Sequence, residues 1–208
     1  SNNNTVTGNT CYNNSRGIYL SSSSNNTITD NACYNNSIGI YLYSSSNNNT
    51  ITGNTCNNNN IDGIYLRSSS NNTITGNTCN NNNIDGIFLS SSSNNTITGN
   101  TCYNNEYGIY LYSSSDNNTI TGNTCYNNEY GIYLSSSSNN NTVTGNTCIR
   151  GTGQTSDYSL AQYTIRLQDT SNCNLISLNN CMGKAVVVDG GTGNIVWGNK
   201  FDATNDLS

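Results

Sequence analysis

The sequence contains no proline and no histidine, and only 8% of its 208 residues are charged. Disordered chains of low hydrophobicity are usually rich in both proline and charge, so the low hydrophobic content of 32% does not indicate disorder. Only two of the six cationic residues are lysines, and the net charge is −5, which excludes the basic patch of a nucleic-acid-binding protein. No run of about 20 apolar residues is present, so no membrane span is predicted.

One phrase dominates the first 149 residues. Residues 117–138 read NNTITGNTCYNNEYGIYLSSSS, and close relatives of this stretch recur throughout that region. Its cysteine recurs after 22 residues once and then after every 23 residues, at Cys11, Cys33, Cys56, Cys79, Cys102, Cys125 and Cys148. A nearly constant period of this length indicates a repeat array in which each copy forms one structural unit.

Each copy contains three short segments in which apolar and polar residues alternate. In the segments TIT, TCY and GIYL of residues 119–134, Ile120, Cys125, Ile132 and Leu134 are predicted to point inward and Tyr133 outward. The Asn, Gly and Ser residues between the segments are typical of turns, and no helical stripe is present. One coil buries too few side chains to offset the ordering of about 23 residues, so it is predicted to be stable only when stacked on its copies.

The repeats therefore predict an all-β solenoid of about nine coils of 22–23 residues, with three short strands per coil. We expect residues 1–208 to form a single domain, with regular repeats over 1–149, an insertion loop over 150–163, and degenerate coils with a C-terminal cap over 164–208. In the degenerate coils, Cys181 and Phe201 take the cysteine position. Residue 1 lies inside a repeat, which we interpret as a piece of a longer precursor.

The phrase N-N-T-I-T-G-N-T followed by G-I-Y-L-S-S-S resembles the repeats of the pectin-lyase-like superfamily, and most closely the NosD-like repeats of surface proteins from methanogenic archaea. The resemblance is strong over residues 1–148 and weak over 149–201. It implies a right-handed parallel β-helix. It implies less about function, because this fold carries lyases, hydrolases, epimerases, adhesins and structural rods.

The cysteines are predicted to be thiols rather than disulfides. Equivalent positions on neighbouring coils are separated by the strand spacing, which exceeds the Cβ separation that a disulfide needs. We therefore interpret eight of them as small apolar fillers of the interior: Cys11, Cys33, Cys56, Cys79, Cys102, Cys125, Cys148 and Cys181. Cys173 lies in a predicted turn as an exposed thiol. The NosD-like name suggests copper, but with no histidine and one methionine, Met182, we predict neither copper nor another cofactor.

Two pairs of acids occupy equivalent positions one coil apart, Asp62 with Asp85 and Glu106 with Glu129. Adjacent like charges can hold a cation or tune a general acid, which leaves calcium at Asp62 and Asp85 as a weak alternative. No cluster of basic residues accompanies them in the sequence. We therefore interpret them as solvated turn residues and predict no catalytic and no metal-binding residue.

Outward aromatic residues form a column, with one residue per coil: Tyr19, Tyr41, Tyr65, Phe88, Tyr110 and Tyr133. Cross-strand pairs of aromatics stabilise sheets, and this alone can explain the column. An exposed aromatic strip can equally bind glycans or another protein. Both interpretations stay open, and these residues are the candidate surface contacts.

Seven sequons occur at equivalent positions in successive copies, beginning at Asn3, Asn25, Asn48, Asn71, Asn94, Asn117 and Asn140. They permit N-glycosylation if the chain is exported. We expect an extracellular protein at the cell surface.

The predicted function is structural. We expect a non-enzymatic, extracellular, archaeal rod that forms a cell surface or filament and associates with itself, head to tail or laterally. One alternative is a carbohydrate-binding or carbohydrate-processing β-helix, with glycans as partners. A less favoured one is an ice-binding solenoid, because the Thr-X-Thr segments would form two outward columns of hydroxyl groups.

Overall fold

The computed structural model describes residues 1–149, 163–168, 170–182 and 186–201. These residues form 26 β-strands in three parallel sheets. Each coil contributes one strand to each sheet, so the prediction of an all-β, right-handed parallel β-helix with three short strands per coil is confirmed. The described part of the chain contains no helix long and apolar enough to cross a membrane.

The strands are short and follow the repeat closely. In chain order they are β1 (Thr5–Thr7), β2 (Thr10–Tyr12), β3 (Arg16–Ser21), β4 (Thr27–Thr29), β5 (Ala32–Tyr34), β6 (Ile38–Tyr43), β7 (Thr50–Thr52), β8 (Thr55–Asn57), β9 (Asp62–Arg67), β10 (Thr73–Thr75), β11 (Thr78–Asn80), β12 (Asp85–Ser90), β13 (Thr96–Thr98), β14 (Thr101–Tyr103), β15 (Tyr107–Tyr112), β16 (Thr119–Thr121), β17 (Thr124–Tyr126), β18 (Tyr130–Leu134), β19 (Thr142–Thr144), β20 (Thr147–Ile149), β21 (Tyr163–Gln168), β22 (Leu175–Ser177), β23 (Asn180–Met182), β24 (Val187–Asp189), β25 (Ile195–Trp197) and β26 (Lys200–Phe201).

The first, second and third strands of the coils form sheets A, B and C respectively. Sheets A and B each contain nine of the described strands, and sheet C contains eight. The register aligns identical residues, so that Ile74 pairs with Ile51 and Ile97, and Cys79 pairs with Cys102. The 23-residue period is therefore the circumference of one coil.

The core is a set of parallel columns of apolar side chains. In one coil, Ile97 of sheet A, Cys102 of sheet B, and Ile109 and Leu111 of sheet C are all fully buried. The same four positions are buried in nearly every described coil. Alternation of apolar and polar residues therefore predicted the interior correctly, because side chains on a strand alternate between the two faces of the sheet.

Buried asparagines form ladders along the turns. Asn100 donates two hydrogen bonds to Oδ1 of Asn123, one from its backbone N and one from Nδ2, and both are 2.9 Å long. Its Nδ2 also donates to the carbonyl oxygen of Ile74 at 2.9 Å. These bonds satisfy backbone groups that the turns would otherwise leave without partners in the interior. The interpretation of asparagine as an ordinary turn residue was therefore incomplete.

The glycine of the Gly-Ile-Tyr-Leu segment is required by a close approach of neighbouring coils. A Cβ at Gly108 would lie 2.5 Å from the carbonyl oxygen of Gly131 and 3.2 Å from Cβ of Cys125. Any side chain here would force neighbouring strands of sheet C apart. The glycine at this position of the regular repeats thus has a steric cause, and in the degenerate coil of β21 the position is taken by Thr164.

The last coils continue the same three sheets beyond the predicted insertion. Residues 150–162 of that predicted loop lie outside the described residues, and Tyr163 is the first residue of β21. Ile165 and Leu167 align with Ile132 and Leu134 of β18. In sheet B, Phe201 aligns with Cys181. The alignment of the degenerate coils thus follows the repeat, whereas the domain boundaries and the cap remain predictions.

Candidate functional site

The outer surface of sheet C, called the sheet-C face below, brings together the aromatic and charged residues of the sequence. Its side chains lie in three columns that run parallel to the solenoid axis. The first column contains Arg16, Ile38, Asp62, Asp85, Tyr107, Tyr130 and Tyr163; the second contains Tyr19, Tyr41, Tyr65, Phe88, Tyr110, Tyr133 and Arg166; and the third contains Ser21, Tyr43, Arg67, Ser90 and Tyr112.

The second column contains the six aromatic residues that the sequence proposed as surface contacts. Their rings stack on one another along the axis, with 4.8 Å between the ring centroids of Tyr41 and Tyr65 and 4.7 Å between those of Tyr65 and Phe88. Neighbouring rings therefore cover each other's faces, and Tyr41 and Tyr133 are buried. The column presents ring edges and hydroxyl groups to solvent. It does not present the free ring faces that sugar stacking requires.

Further aromatic rings of the first column widen this surface toward the C-terminal end. The ring of Tyr107 stacks on Tyr110 with 4.7 Å between centroids and on Tyr130 with 4.8 Å. Tyr110 also forms a hydrogen bond of 3.0 Å between its hydroxyl group and Oγ of Ser135. Burial raises the pKa of Tyr110 to about 12. Tyr110 is therefore a neutral hydrogen-bonding group at physiological pH.

Three arginines lie against these rings. The guanidinium carbon of Arg16 is 4.4 Å from the ring centroid of Tyr19 and 5.2 Å from that of Tyr41. The guanidinium carbon of Arg67 is 5.6 Å from the ring centroid of Tyr43. Each contact is a cation–π interaction that holds a positive charge on the sheet-C face.

The third arginine differs from the other two because it has a carboxylate partner. The guanidinium carbon of Arg166 is 4.4 Å from the ring centroid of Tyr163, and its Nη2 lies 2.6 Å from Oδ2 of Asp189. No basic residues were predicted to lie near the aromatic column. A signal was present for Arg67 and Arg166, because each is adjacent in sequence to an inward-pointing residue of the third segment; alternation alone would have placed Arg16 inside.

Asp62 and Asp85 are not solvated turn residues, and that interpretation was wrong. Each is the first residue of a sheet-C strand, and each side chain is covered by its neighbours. Within the described residues, Oδ1 of each carboxyl group is buried without a hydrogen-bond partner. Burial raises the pKa of both groups, to about 7 for Asp62, because a charged carboxylate is poorly solvated there. The reason for the error is that larger side chains flank these short ones on both sides of the column.

Calcium does not fit this pair. Ca²⁺ binds about six to eight oxygen ligands, and water molecules complete the set where the protein supplies fewer. Asp62 and Asp85 leave almost no accessible surface for water. The described part of the chain contains no group of three or more His, Cys, Asp or Glu residues that could hold a metal ion. A proton is the cation that such a closed pair accommodates. Glu106 and Glu129, the other pair, remain exposed.

Most of the cysteines pack in the hydrophobic interior of the solenoid, as small apolar residues do. The interior column consists of Cys33, Cys56, Cys79, Cys102, Cys125, Cys148 and Cys181, all fully buried, and continues to the partly exposed Cys11. None of the nine forms a disulfide, and Cys173 is exposed in a turn. Burial raises the pKa of Cys79 and raises that of Cys181 to about 11, so these thiols are protonated and weakly nucleophilic.

The seven predicted sequon asparagines are all exposed and all have a positive φ, between 56° and 59°: Asn3, Asn25, Asn48, Asn71, Asn94, Asn117 and Asn140. Asparagine tolerates this left-handed conformation better than most residues, which explains its presence at the turn. The Thr-X-Thr segments lie in sheet A, on a different face from the aromatic columns.

The solved structures most useful for comparison are carbohydrate-processing enzymes. The mannuronan C-5 epimerase AlgE6 A-module of Azotobacter vinelandii superposes with a TM-score of 0.80 at 18% identity, over 97% of this chain and 58% of that one. The periplasmic alginate epimerase AlgG superposes with a TM-score of 0.69 at 20% identity, over 90% of this chain and 48% of that one. The DFA-IIIase of Arthrobacter chlorophenolicus A6 superposes with a TM-score of 0.76 at 17% identity, over 91% of this chain and 55% of that one. The chain thus spans about half the length of these structures. Among curated proteins no sequence match was found.

These comparisons contradict the predicted function. A non-enzymatic, self-associating structural rod was expected, yet the similar structures are enzymes that act on carbohydrates. At identities this low the likeness itself demonstrates only the fold. The findings nevertheless favour the alternative of a carbohydrate-binding or carbohydrate-processing β-helix over the structural rod, and the prediction that the protein is not an enzyme is withdrawn with it.

A family model described as "Periplasmic copper-binding protein (NosD)" matches residues 1–124 and 112–207. Copper itself does not fit the described residues, because the chain has no histidine, the column from Cys33 to Cys181 is buried, and the exposed Cys173 has no cluster of ligands around it. Met182 is the last residue of β23 in sheet B, and no metal-binding group of His, Cys, Asp or Glu residues occurs in the described part of the chain. The family's periplasmic description agrees with the expected location outside the cytoplasm. Since the family model matches nearly the whole sequence, the chain belongs to the NosD family.

Proposed function

We propose that this chain is the polysaccharide-binding part of a carbohydrate-processing β-helix protein, and that the polysaccharide lies along the sheet-C face. The observation that carries the proposal is the convergence of aromatic, guanidinium and carboxyl side chains on this one face. In the regular coils, sheet A presents threonines outward, and sheet B presents mainly threonine, asparagine and tyrosine. The described strands of these two sheets contain no arginine, and Lys200 lies in the last strand of sheet B.

The chemistry of the face suits a chain of sugars. Phenol hydroxyl groups donate and accept hydrogen bonds, guanidinium groups donate them, and both are fixed in position by ring stacking. The aromatic residues of the second column recur once per coil, at about 4.8 Å, so contacts with this column repeat along a linear ligand, whereas Arg16 and Arg67 lie on separate coils. A polymer parallel to the solenoid axis can use several of these contacts at once, whereas a small molecule can use one or two.

The names of the similar structures support this proposal. Mannuronan C-5 epimerase, alginate epimerase and DFA-IIIase all act on carbohydrates, and they share this fold over most of the present chain. The chain spans about half of each of those structures. We therefore propose only polysaccharide binding for this chain and the processing step for the whole protein. Asp62 and Asp85 are closed to solvent, so we assign no catalytic step to them.

A location outside the cytoplasm fits a polysaccharide ligand, and we place the protein more specifically at the cell surface. The exposed sequon asparagines would there be available for glycosylation. Mass spectrometry of the protein from its native source tests this part by showing whether any of these asparagines carries a glycan.

The experiment that tests the binding face compares two tyrosines at the same end of the solenoid. Tyr19 on the sheet-C face is 43% exposed and packs at a tilt against Tyr41, with 5.4 Å between centroids. Tyr12 on sheet B is 53% exposed and stacks on Tyr34 with 5.5 Å between centroids. We expect polysaccharides identified on a glycan array to bind Tyr19→Ser at least about tenfold more weakly than the parent chain.

The control variant, Tyr12→Ser, should bind as tightly as the parent chain. Equal losses in both variants, or no loss in either, would overturn the assignment of the binding face. Absence of binding to any polysaccharide on the array would overturn the proposed function as a whole.

A further inference from the structure

We propose that Arg16 and Arg67 form an anion subsite on the sheet-C face that binds the carboxylate groups of an acidic polysaccharide. This inference rests on the proposed function and names its ligand class. Its occupant is the carboxylate of a uronic-acid unit, and the surface that would bind it consists of these two arginines and the rings of Tyr19, Tyr41 and Tyr43.

The two guanidinium groups share one aromatic surface. Arg16 is placed against Tyr19 and Tyr41, and Arg67 is placed against Tyr43. The rings of Tyr41 and Tyr43 are themselves in contact, with 5.8 Å between centroids. The side chain of Tyr41 acts on Arg67 as well and raises the pKa of that guanidinium. Both positive charges are thus held on the first three coils.

Neither arginine is neutralised by a carboxylate in the described part of the chain. The ion pair found there joins Arg166 to Asp189, at the other end of the face. The interactions that act on the pKa of Arg67 come from Tyr41, Tyr65 and Tyr43, without an acid among them. Asp62, the nearest acid of the first column along the chain, is buried, and burial favours its protonated and uncharged form.

The charge of the whole chain makes this subsite specific. The net charge is −5, so most of the surface repels a polyanion. An acidic polysaccharide is attracted only where positive charge is concentrated and unpaired. Arginine suits this task because its planar guanidinium donates two parallel hydrogen bonds to a carboxylate and remains charged at every physiological pH.

The test uses a purified hexamer of a uronic acid, the same hexamer after chemical reduction of its carboxyl groups, and a sulfated hexamer. Binding is measured by isothermal titration calorimetry with the parent chain and with Arg16→Gln/Arg67→Gln. The matched control is Arg166→Gln, which removes an arginine of the same face that already has a carboxylate partner. Circular dichroism confirms that the variants are folded.

We expect the parent chain to bind the uronic-acid hexamer at least about tenfold more tightly than its reduced form, with an affinity that falls as salt is raised. The double variant should lose that preference, whereas Arg166→Gln should keep it. The inference is overturned if both hexamers bind equally, if Arg166→Gln loses as much as the double variant, or if the sulfated hexamer binds while the uronic-acid hexamer does not.

The outcomes separate this inference from the proposed function. If neutral polysaccharides bind in a Tyr19-dependent manner and the uronic-acid hexamer shows no preference, the anion subsite is wrong and the binding face remains. If no carbohydrate of any charge binds, both are wrong.

Discussion

Asp62 and Asp85 lie on neighbouring coils at the start of two sheet-C strands, each 2% exposed and each with an Oδ1 that has no hydrogen-bond partner. Two carboxyl groups in such a position cannot both be charged at low cost, because burial and mutual repulsion act in the same direction. The pair therefore links the protonation of the sheet-C face to the stability of the solenoid.

Stability should fall as the pH rises from about 4 to above 7. The folded state keeps protons on Asp62 and Asp85 that the unfolded state releases near its usual pKa of 3.8, because burial raises the folded pKa of Asp62 to about 7. When the folded state holds more protons, the free energy of unfolding decreases with rising pH. For Asp62 the loss is on the order of 4 kcal/mol. Thermal melting across this pH range measures it.

Replacing both acids, as Asp62→Asn/Asp85→Asn, should flatten this dependence. The control Asp30→Asn removes a carboxylate that is exposed in a turn and should leave the slope unchanged. If the parent chain and the double variant had the same slope, the pair would not be the titrating group.

The asparagine ladder should contribute strongly to stability. Asn100→Ala would remove the acceptor for the backbone N and Nδ2 of Asn77, at 2.9 and 3.0 Å, and leave the carbonyl oxygen of Ile74 without its donor. Unpartnered buried groups cost about 1–3 kcal/mol each, so we expect a loss of at least about 3 kcal/mol. Urea unfolding measures the change.

The matched control is Asn94→Gly. Asn94 is exposed and adopts a positive φ of 58°, a conformation that glycine also adopts readily. We expect this variant to change the free energy of unfolding by less than about 1 kcal/mol. Similar losses for Asn100→Ala and Asn94→Gly would contradict the role of the ladder.

Replacement by alanine should affect the stability of the protein differently at two glycines of the repeat. Gly108→Ala places its Cβ 2.5 Å from the carbonyl oxygen of Gly131, and we expect it to be destabilised by several kcal/mol or to fail to fold. Gly76→Ala meets no atom within 4 Å, and its φ of +61° should cost only about 1–2 kcal/mol. Thermal melting of both variants decides the matter, and equal effects would exclude a steric role for Gly108.

The thiols should also differ in reactivity. Cys173 is exposed, whereas the interior column is closed to solvent. In the folded protein we expect a maleimide reagent to modify Cys173 quickly, the partly exposed Cys11 slowly, and the buried cysteines only after denaturation. Peptide mapping after short exposure identifies the modified residues. Rapid labelling of Cys102 in the folded chain would show that the interior is open.

The sequence predicted the fold well because one rule, alternation within short segments, was repeated in every copy. Ile120 and Cys125 could be assigned to the interior from their polar neighbours alone, and the period fixed the number of coils. The same rule was not applied to Asp62 and Asp85, because the residues before them suggested a turn. Burial of those side chains depends on the larger residues of neighbouring coils, which a reading of one coil cannot supply.

The candidate site was harder to predict than the fold. The aromatic column was visible in the sequence, but the stacking that covers the ring faces of Tyr41 and Tyr65 depends on side-chain orientation. Arg16 and Arg67 belong to different positions of the repeat, so no single column in an aligned set of copies contains both. Both act on Tyr41, a relationship that depends on side-chain orientation and on the register of sheet C and appears only when the coils are stacked.

The central claim is that a polysaccharide lies along the sheet-C face, and nuclear magnetic resonance of the labelled chain tests it most directly. On titration with a polysaccharide fragment that binds, we expect chemical-shift changes at Tyr19, Tyr43 and Tyr112 and none in the threonine columns of sheet A. Changes confined to sheet A or to sheet B, with the tyrosines of the sheet-C face unaffected, would contradict the claim.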